Sequence, residues 1–293
     1  MSLRITPLTD PSDGPRHRRL AWLASDAEGH PVGSAFLRLP TDAGRTRLAE
    51  LSLHVHPVER RGRVGTRLLD AAVAAARDDS RRGVVAHTEA GTPGDHFLSA
   101  RGFRTVLTLR YARLSPADVD AAALDEIVER PHPGYLLTSW EGVVPDDLAR
   151  TFAASRRAMD DMPMDDADHD TAAWDVDRVR AVAKAVADRG DLLHTVVAID
   201  TSDDSIAGFT ELVVPGDRTG DAEHYGTAVL PEHRGHGLAR WMKAESIRRA
   251  CAEHPRLGGL VTDTAESNTY MRRVNDDLGY APTHTTLQYQ LDL

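Results

Sequence analysis

The sequence is poor in cysteine, in lysine and in long apolar runs. Its single cysteine, Cys251, excludes an internal disulfide framework and a zinc site built from cysteine ligands. No stretch is apolar for long enough to cross a bilayer, and the first ten residues lack the apolar segment of a signal peptide. Lysine is scarce beside arginine, which is typical of a GC-rich genome and indicates little about chemistry. We therefore expect a soluble cytoplasmic protein that does not enter a membrane.

Acidic residues outnumber basic ones, with 45 Asp and Glu against 35 Lys and Arg. The net charge of −10 makes nucleic acid a poor partner, because the phosphate backbone is itself an anion. A hydrophobic content of 41% is enough for folded cores, and a length of 293 residues suggests two domains. The sequence leaves open whether the protein is a monomer or a homodimer.

The most informative stretch runs from Thr227 to Met242 and reads TAVLPEHRGHGLARWM. Its apolar start predicts a strand that stops at Pro231, because proline has no N–H for a sheet ladder. A helix whose apolar face includes Leu238 and Trp241 follows. Small residues at a helix start let an anion approach unpaired backbone N–H groups and the positive end of the helix dipole. The stretch therefore predicts a diphosphate-binding turn, although it is neither a P-loop nor a GxGxxG motif.

The pattern R-x-x-G-x-A after a strand that ends V-x-P resembles the acyl-CoA signature of the GNAT superfamily of N-acetyltransferases. The resemblance implies acetyl-CoA (coenzyme A) as the cofactor, with its diphosphate on the turn. It also implies that the pantetheine arm pairs with the preceding strand, which would be splayed from its neighbour. The implied cofactor-binding residues are Thr227, Ala228, Val229, Arg234, Gly235, His236, Gly237, Leu238, Ala239 and Arg240.

A weaker copy of this stretch lies 174 residues earlier in the chain. Pro57 corresponds to Pro231, and Arg60 corresponds to Arg234. Two copies of one strand–turn–helix motif are much harder to obtain by chance than one, so they predict an internal repeat. The first copy departs from the pattern, because Arg63 stands where Gly237 stands and puts a side chain where backbone should meet an anion.

The order of predicted elements divides the chain into three parts. We expect a degenerate GNAT-like domain over residues 1–114, a connector helix and linker over 115–133, and a GNAT domain over 134–293 as the catalytic unit. The resemblance covers the last part well and the first in part. It implies an α/β fold of two GNAT-like units, each a mixed, mostly antiparallel sheet flanked by helices. The two-unit plan is similar to that of the mycothiol synthases, an analogy of architecture only.

The first unit is predicted to be truncated. Only about ten residues separate the strand ending at Leu8 from the one starting at Arg19, too few for the two helices that wall the acceptor site in the family. We expect this unit to be a structural half without chemistry, with a relic or a working CoA site as the alternatives.

The segment 263–280 resembles the second CoA-contacting region of the family. Asn268 falls on an Asn that would hydrogen-bond the pantetheine arm, although an ordinary helix cap would explain it too. In much of the family a Tyr midway along this helix protonates the leaving thiolate, and here that position is Asn275, which cannot. Tyr270, Tyr280, Tyr225 or an ordered water could substitute.

Acyl transfer to an amine also needs a base to take the proton of the ammonium group. Asp263 lies where some family members carry an acidic base. Glu211, on the preceding strand, and His224, seven residues before Pro231, are the rival catalytic candidates. Each of the three could instead be a salt-bridged or solvent-facing strand residue.

An acidic segment, MDDMPMDDADHD, spans residues 159–170. By resemblance it lies at the acceptor mouth, where Asp160 and Asp161 would favour a cationic substrate. The alternative is a solvated loop whose Asp residues cap the next helix. We expect no metal, because the loop lacks the ligand order of divalent-metal sites.

These observations predict an N-acetyltransferase that moves an acetyl group from acetyl-CoA to a primary amine of a small molecule in the C-terminal unit. The alternative from another class is a non-catalytic protein that binds or senses acyl-CoA, which the absence of the usual Tyr would suggest. An acetyltransferase acting on protein lysines or N-termini is neither supported nor excluded.

Overall fold

The computed structural model describes residues 3–8, 17–41, 47–160 and 173–293. The described chain forms two compact units. The first comprises residues up to Thr108 together with Thr285–Leu293, and the second comprises the described residues between Leu109 and His284. These bounds differ from the expected ones at residues 114 and 134. The expected connector belongs to the second unit, where the indole N–H of Trp241 donates to the carbonyl of Val128 at 2.9 Å.

In the first unit the strands precede and follow one long helix. Its elements are β1 (Arg4–Leu8), β2 (His17–Ser25), β3 (Pro31–Pro40), β4 (Leu48–Val55), α1 (Val64–Asp78), β5 (Gly83–Glu89), α2 (Pro93–Ala100) and the first half of β6 (Arg104–Leu114). Helix α1 forms because its apolar residues recur at helical spacing and face the core, including Val64, Leu68, Leu69 and Ala72. Residues 9–16, which connect β1 to β2, lie outside the described part.

The second unit contains the element order that the sequence predicted. After α3 (Ala121–Glu129) its elements are β7 (Tyr135–Glu141), α4 (Ala149–Ser155), α5 (Val176–Asp188), β8 (Leu192–Asp200), β9 (Ile206–Val214), β10 (Asp221–Val229), α6 (Leu238–Glu253), β11 (Gly259–Ala265), α7 (Thr269–Asp277) and β12 (Ala281–Asp292). Helix α3 begins later than the expected start at Ser115. A 3-10 turn over Pro116–Asp118 comes first, and Asp120 caps the helix by accepting from the N–H of Ala123 at 3.0 Å.

Each unit has a mixed, mostly antiparallel sheet, as expected. The strand order is β1-β2-β3-β4-β5-β12 in the first unit and β6-β11-β10-β9-β8-β7 in the second. The parallel pairs are β4 with β5 and β10 with β11. The end of β12 pairs with β5 from Thr286–Glu89 to Asp292–Gly83, so the last strand completes the sheet of the first unit. The sequence predicted this strand but placed it in the second unit.

Helix α6 is the central helix of the second unit. Nine of its residues are buried, because it packs on strands β8, β9 and β10 and is covered by α3. Eight of them are apolar or small, and the ninth is Lys243. No helix of the described residues is both long and apolar enough to cross a membrane.

Candidate active site

The predicted diphosphate turn has the backbone that an anion site requires. After β10, a 3-10 turn at Pro231–His233 leads to Gly235 and Gly237, whose φ angles are 85° and 75°. Glycine adopts this left-handed region without strain. A Cβ added at Gly235 would meet no heavy atom within 4 Å, so the outer side of the turn is open. The open turn and the start of α6 at Leu238 therefore fit a phosphate group.

The first unit repeats this backbone with different residues. Arg61 and Arg63 have φ angles of 68° and 64° at the positions of Gly235 and Gly237, and α1 begins directly afterwards. The left-handed region is unfavourable for residues with a Cβ. The ring of Phe97 also lies 3.4 Å from a Cβ added at Gly65, against the first turn of α1. The first unit therefore keeps the backbone of the turn but has two arginines where the second unit has two glycines.

Strands β10 and β11 separate as the resemblance implied. Their parallel pairing runs from Asp221–Gly259 to Glu223–Val261 and stops there, although both strands continue. The register of β10 also shifts between His224 and Gly226, which marks a β-bulge. The edge of β10 beyond this point is not paired with β11, so it can accept an extended ligand as an added strand.

A cavity of about 240 Å³ opens between the separated strands. Its walls come from β6, the 3-10 turn Arg156–Met159, β10, α6, β11 and the start of α7, all in the second unit. It is lined by Leu109, Met159, His224, Tyr225, Gly226, Thr227, Lys243, Thr262, Asp263, Thr264, Ala265, Asn268 and Met271. The predicted residues Thr227, Asp263, His224 and Asn268 thus come together around one cavity.

A second cavity of about 300 Å³ lies at the start of α6. Its lining includes the predicted cofactor residues His236, Gly237 and Arg240. The segment after α3 closes its other side, where the ring of His132 stacks on Trp241 with centroids 4.0 Å apart. The expected linker therefore forms one wall beside the diphosphate turn.

Among the three predicted bases, Asp263 is the best placed. It lines the cavity, and burial raises the pKa of its carboxyl while the charge of Lys243 opposes that rise. A raised carboxyl pKa is what a base that works near neutral pH requires. Asp263 is therefore the predicted base that the cavity geometry favours.

Glu211 is held in a buried ion pair. Its Oε2 lies 2.7 Å from NH1 of Arg156, and both side chains are less than one-tenth exposed. Arg156 itself lies over the ring of Trp174, with 4.2 Å from its guanidinium carbon to the ring centroid. Glu211 does not line the cavity. Its position therefore favours the alternative from the sequence analysis, a salt-bridged strand residue, over a catalytic base.

His224 lines the cavity, but one of its ring nitrogens is already hydrogen-bonded to a neighbouring tyrosine. Its Nε2 lies 2.8 Å from the hydroxyl of Tyr280, and its Nδ1 has no hydrogen-bond partner among the described residues. Full burial lowers the pKa of His224 well below the ordinary value, and the charge of Lys243 adds to this effect. The imidazole is therefore neutral at physiological pH.

Sequence reasoning missed Glu223, which precedes His224 on β10. Burial raises the pKa of its carboxyl, and so does the nearby carboxylate of Asp263. Burial also raises the pKa of Tyr111 on β6, and the charges of Asp263 and Glu223 add to that rise. The available signal was an acidic residue next to the candidate His224, but the alternating pattern of a strand predicts that this side chain faces solvent.

The candidates for the missing acid occupy different environments. Tyr270 is 56% exposed on the first turn of α7, and the hydroxyl of Tyr225 accepts from Arg189 at 2.8 Å. Burial raises the pKa of Tyr280, whose hydroxyl meets His224. Asn275 is buried and donates from Nδ2 to Oγ1 of Thr264 at 3.0 Å. None of these tyrosines lines the cavity except Tyr225.

Asn268 serves as a helix cap and also lines the cavity. Its Oδ1 accepts from the N–H of Met271 at 3.1 Å at the start of α7. The cap leaves the side-chain amide Nδ2 as the group that could donate to a pantetheine carbonyl. Both interpretations of Asn268 are therefore compatible.

The predicted acceptor mouth is described only at its beginning. Asp160 is exposed at the end of a 3-10 turn, Arg156–Met159, and its N–H donates to the carbonyl of Arg157 at 3.0 Å. Asp161 lies outside the described residues, as does the rest of the acidic segment.

One histidine cluster elsewhere in the second unit has ligand atoms of the types that metals bind. Nε2 of His194 lies 3.0 Å from Nε2 of His254, and Glu253 completes a group whose ligand atoms are within 4.8 Å of one another. The contact equally fits a hydrogen bond between two neutral imidazoles.

The family follows from comparison with known proteins. The model of the acetyltransferase (GNAT) family matches residues 6–103 and 157–280, once in each half of the chain. The chain belongs to this family. Its members generally use acetyl-CoA as the acyl donor. No curated protein matches the sequence.

Solved structures share the tandem architecture. The chain is similar to a tandem GNAT protein from the clavulanic acid biosynthesis pathway, with a TM-score of 0.75, 21% identity, and 99% of this chain and 98% of that chain covered. It is also similar to a GCN5-related N-acetyltransferase from Sphaerobacter thermophilus, with a TM-score of 0.65, 14% identity, and 93% and 80% covered. Together with the two family matches, these similarities confirm the tandem GNAT plan.

Proposed function

We propose that the second unit transfers an acetyl group from acetyl-CoA to a primary amine of a small molecule. The observation that carries the proposal is the cavity between β10 and β11, which opens where their pairing stops and holds Asp263 in its wall. The glycine turn before α6 follows β10 directly, so a ligand anchored there by its diphosphate could run along the free edge of β10.

The carboxylates beside the cavity support an amine as the acceptor. Burial raises the pKa of Glu223, and repulsion from the carboxylate of Asp263 adds to that rise, so a nearby cation would stabilise the ionised carboxylates. An ammonium substrate would relieve that repulsion before Asp263 removes its proton. The charge therefore favours a cationic acceptor over an anionic one.

The deciding experiment measures thiol release from acetyl-CoA across a panel of small primary amines. Amine-dependent release supports the proposal. Binding of acetyl-CoA by calorimetry, with no release for any amine, would instead favour the non-catalytic acyl-CoA-binding function.

Gly237→Trp should weaken acetyl-CoA binding by about 100-fold, measured by calorimetry. A Cβ at Gly237 meets only His132 within 4 Å, at 3.7 Å, so the new side chain would enter the open space where the diphosphate is expected. The tryptophan would also have to adopt the left-handed backbone conformation of Gly237, which is unfavourable for a residue with a Cβ. Arg63→Trp is the matched control, because it puts the same side chain on the same backbone in the first unit. Unchanged affinity in Gly237→Trp would show that the turn does not hold the ligand.

Asp263→Asn should lower kcat by about 100-fold, the lower range for loss of a general base. The KM for acetyl-CoA should change little, since Asp263 acts on the acceptor. In the parent protein kcat/KM should fall toward low pH as Asp263 is protonated. The midpoint of this fall should lie above the ordinary pKa of Asp, because burial raises the pKa of Asp263. In the variant this fall should be absent. Asp277→Asn, at the exposed end of α7, is the control. A variant with more than half of the parent kcat would exclude Asp263 as the base.

A further inference from the structure

Helix α6 places a lysine side chain in the wall of the cavity. Lys243 is 1% exposed. Its Nζ lies 3.5 Å from Oγ1 of Thr262 and 5.0 Å from the ring centre of Tyr280. In the part of the chain that the structure describes, it forms no ion pair. A buried ammonium group without a paired carboxylate opposes folding, so packing does not explain this residue.

The repeat shows that the fold does not need lysine at this position. Leu69 lies 174 residues earlier, at the equivalent place on α1, and is 4% exposed. The chain has two lysines, Lys184 and Lys243, among its 35 basic residues, so arginine is its usual cation. Arginine does not release a proton near neutral pH, whereas a buried lysine can. Lys243 therefore differs from the arginines of this chain in that it can exchange a proton near neutral pH.

Lys243 lies at the closed end of the splay. Its neighbour Thr262 is the first residue of β11 after the last paired position, Val261, opposite Glu223. The glycine turn lies at the other end of β10, and the six residue steps from Glu223 to Val229 span about 20 Å of extended strand. A ligand held by its diphosphate at the turn would therefore bring its thioester end toward Lys243.

We propose that Lys243 is the acid that protonates the leaving sulfur of acetyl-CoA, in place of the tyrosine that Asn275 replaces. The assignment rests on the proposed function. Asp263 first takes a proton from the ammonium group and passes it to solvent. The neutral amine nitrogen then bonds to the carbonyl carbon, and Asp263 accepts the second proton that the nitrogen loses. Lys243 donates a proton to sulfur as the carbon–sulfur bond breaks and the electron pair stays on sulfur. The ammonium group thus loses two protons, the thiol gains one, and one is released once solvent has restored Lys243 and Asp263 to their starting protonation states.

The surrounding groups are compatible with this role. Burial lowers the pKa of Lys243 from 10.5 to about 7, while the carboxylate of Asp263 on β11 opposes that change. His224 on β10 is neutral because burial lowers its pKa, and Tyr280 keeps its proton because burial raises its pKa. Among these three, Lys243 is the group that can gain and lose a proton near pH 7, which acid catalysis requires in each turnover.

The test compares Lys243→Met, Lys243→Arg and Lys184→Met in the full-length protein, with an amine that the parent protein acetylates. Lys184 is an exposed lysine on α5 that pairs with Asp188, so its variant controls for loss of a lysine. We expect Lys184→Met to match the parent. In Lys243→Met, kcat should fall at least 100-fold while the Kd for CoA stays within threefold. Lys243→Arg should be as slow, because the guanidinium keeps its proton.

Lysine labelling gives a readout that does not depend on turnover. With 13Cε-labelled lysine, the two side chains should give two signals, and the signal that Lys243→Met removes should titrate near 7. CoA should shift this signal and leave the other unchanged. These results would support the assignment even if Lys243→Arg failed to fold.

Several results would overturn the assignment. Parent-like kcat in Lys243→Met would exclude any catalytic role, and activity retained in Lys243→Arg would show that charge alone is needed. Acetylation of Lys243 itself, seen by mass spectrometry, would make it an acceptor. If the parent protein binds acetyl-CoA but releases no thiol with any amine, the proposed function fails and the assignment fails with it.

Discussion

Lys243→Met should make the protein more stable at neutral pH while it slows turnover. A pKa lowered from 10.5 to about 7 corresponds to about 5 kcal/mol that the buried lysine costs the folded state. Methionine has a similar length and no charge, and the equivalent position in the first unit is the buried Leu69. Imperfect packing will remove part of the gain, so we expect an increase of about 2 to 4 kcal/mol in the free energy of unfolding at pH 7.

The gain should depend on pH in a definite direction. Between pH 7 and 10.5 the unfolded chain holds a proton on Lys243 that the folded protein lacks, so the parent becomes more stable as pH rises through this window. Below pH 7 the cost of the lysine is fully present. The difference between variant and parent should therefore be largest at pH 7 and below, and should shrink toward pH 10.

Chemical denaturation at pH 6, 7, 8 and 9 measures this dependence. Lys184→Met is the reference, since an exposed pair one helical turn apart, such as Lys184 with Asp188, contributes about 0.3–0.5 kcal/mol. A Lys243→Met protein less stable than the parent at every pH would show that Lys243 forms a favourable interaction in the folded state.

Most of the fold could be predicted from the sequence, because its local sequence patterns are strong. The turn from Pro231 to Gly237 combines a strand stop, two glycines and a helix start, and the earlier copy from Pro57 repeats it. Periodicity then gave the remaining elements of the second unit in the right order. The partner of β12 was missed, because an alternating pattern predicts a strand but does not say which edge it joins.

Only part of the candidate site could be predicted from the sequence, because the burial and ion pairing of a side chain depend on residues that are distant in the chain. Asp263 and Asn268 lie in motifs, so the sequence could single them out. Glu211 looked equally suitable as a base, and its partner Arg156 is 55 residues away in a 3-10 turn. Lys243 follows Trp241 and Met242 in a helix that is buried on several sides, where helical periodicity does not distinguish a wall of a cavity from a packed core.

Glu211→Gln should destabilise the second unit by about 3 kcal/mol. It should leave the rate of acyl transfer nearly unchanged, because Glu211 takes no part in those steps. The change leaves the guanidinium of Arg156 buried among Phe152, Trp174 and Phe209 with no compensating charge. Removing one partner of a buried pair costs about 3–5 kcal/mol, and the amide oxygen of Gln keeps one hydrogen bond, which places the loss at the lower end. Chemical denaturation measures the loss, and kcat at a temperature well below the unfolding transition should stay within threefold of the parent.

The exposed pair of Arg38 and Glu50 provides the matched control. Its N–O distance is 2.8 Å, but both side chains are almost half exposed, so Glu50→Gln should cost less than about 1 kcal/mol. The double change Arg156→Met with Glu211→Leu should recover most of the stability, since apolar groups of similar size often replace a buried pair at little cost. If Glu211→Gln instead left stability intact and reduced kcat 100-fold, Glu211 would act in catalysis and Asp263 would lose its assignment as the base. The two buried cations of this unit thus give opposite expectations: removing the charge of Lys243 should stabilise the fold, whereas removing the partner of Arg156 should weaken it.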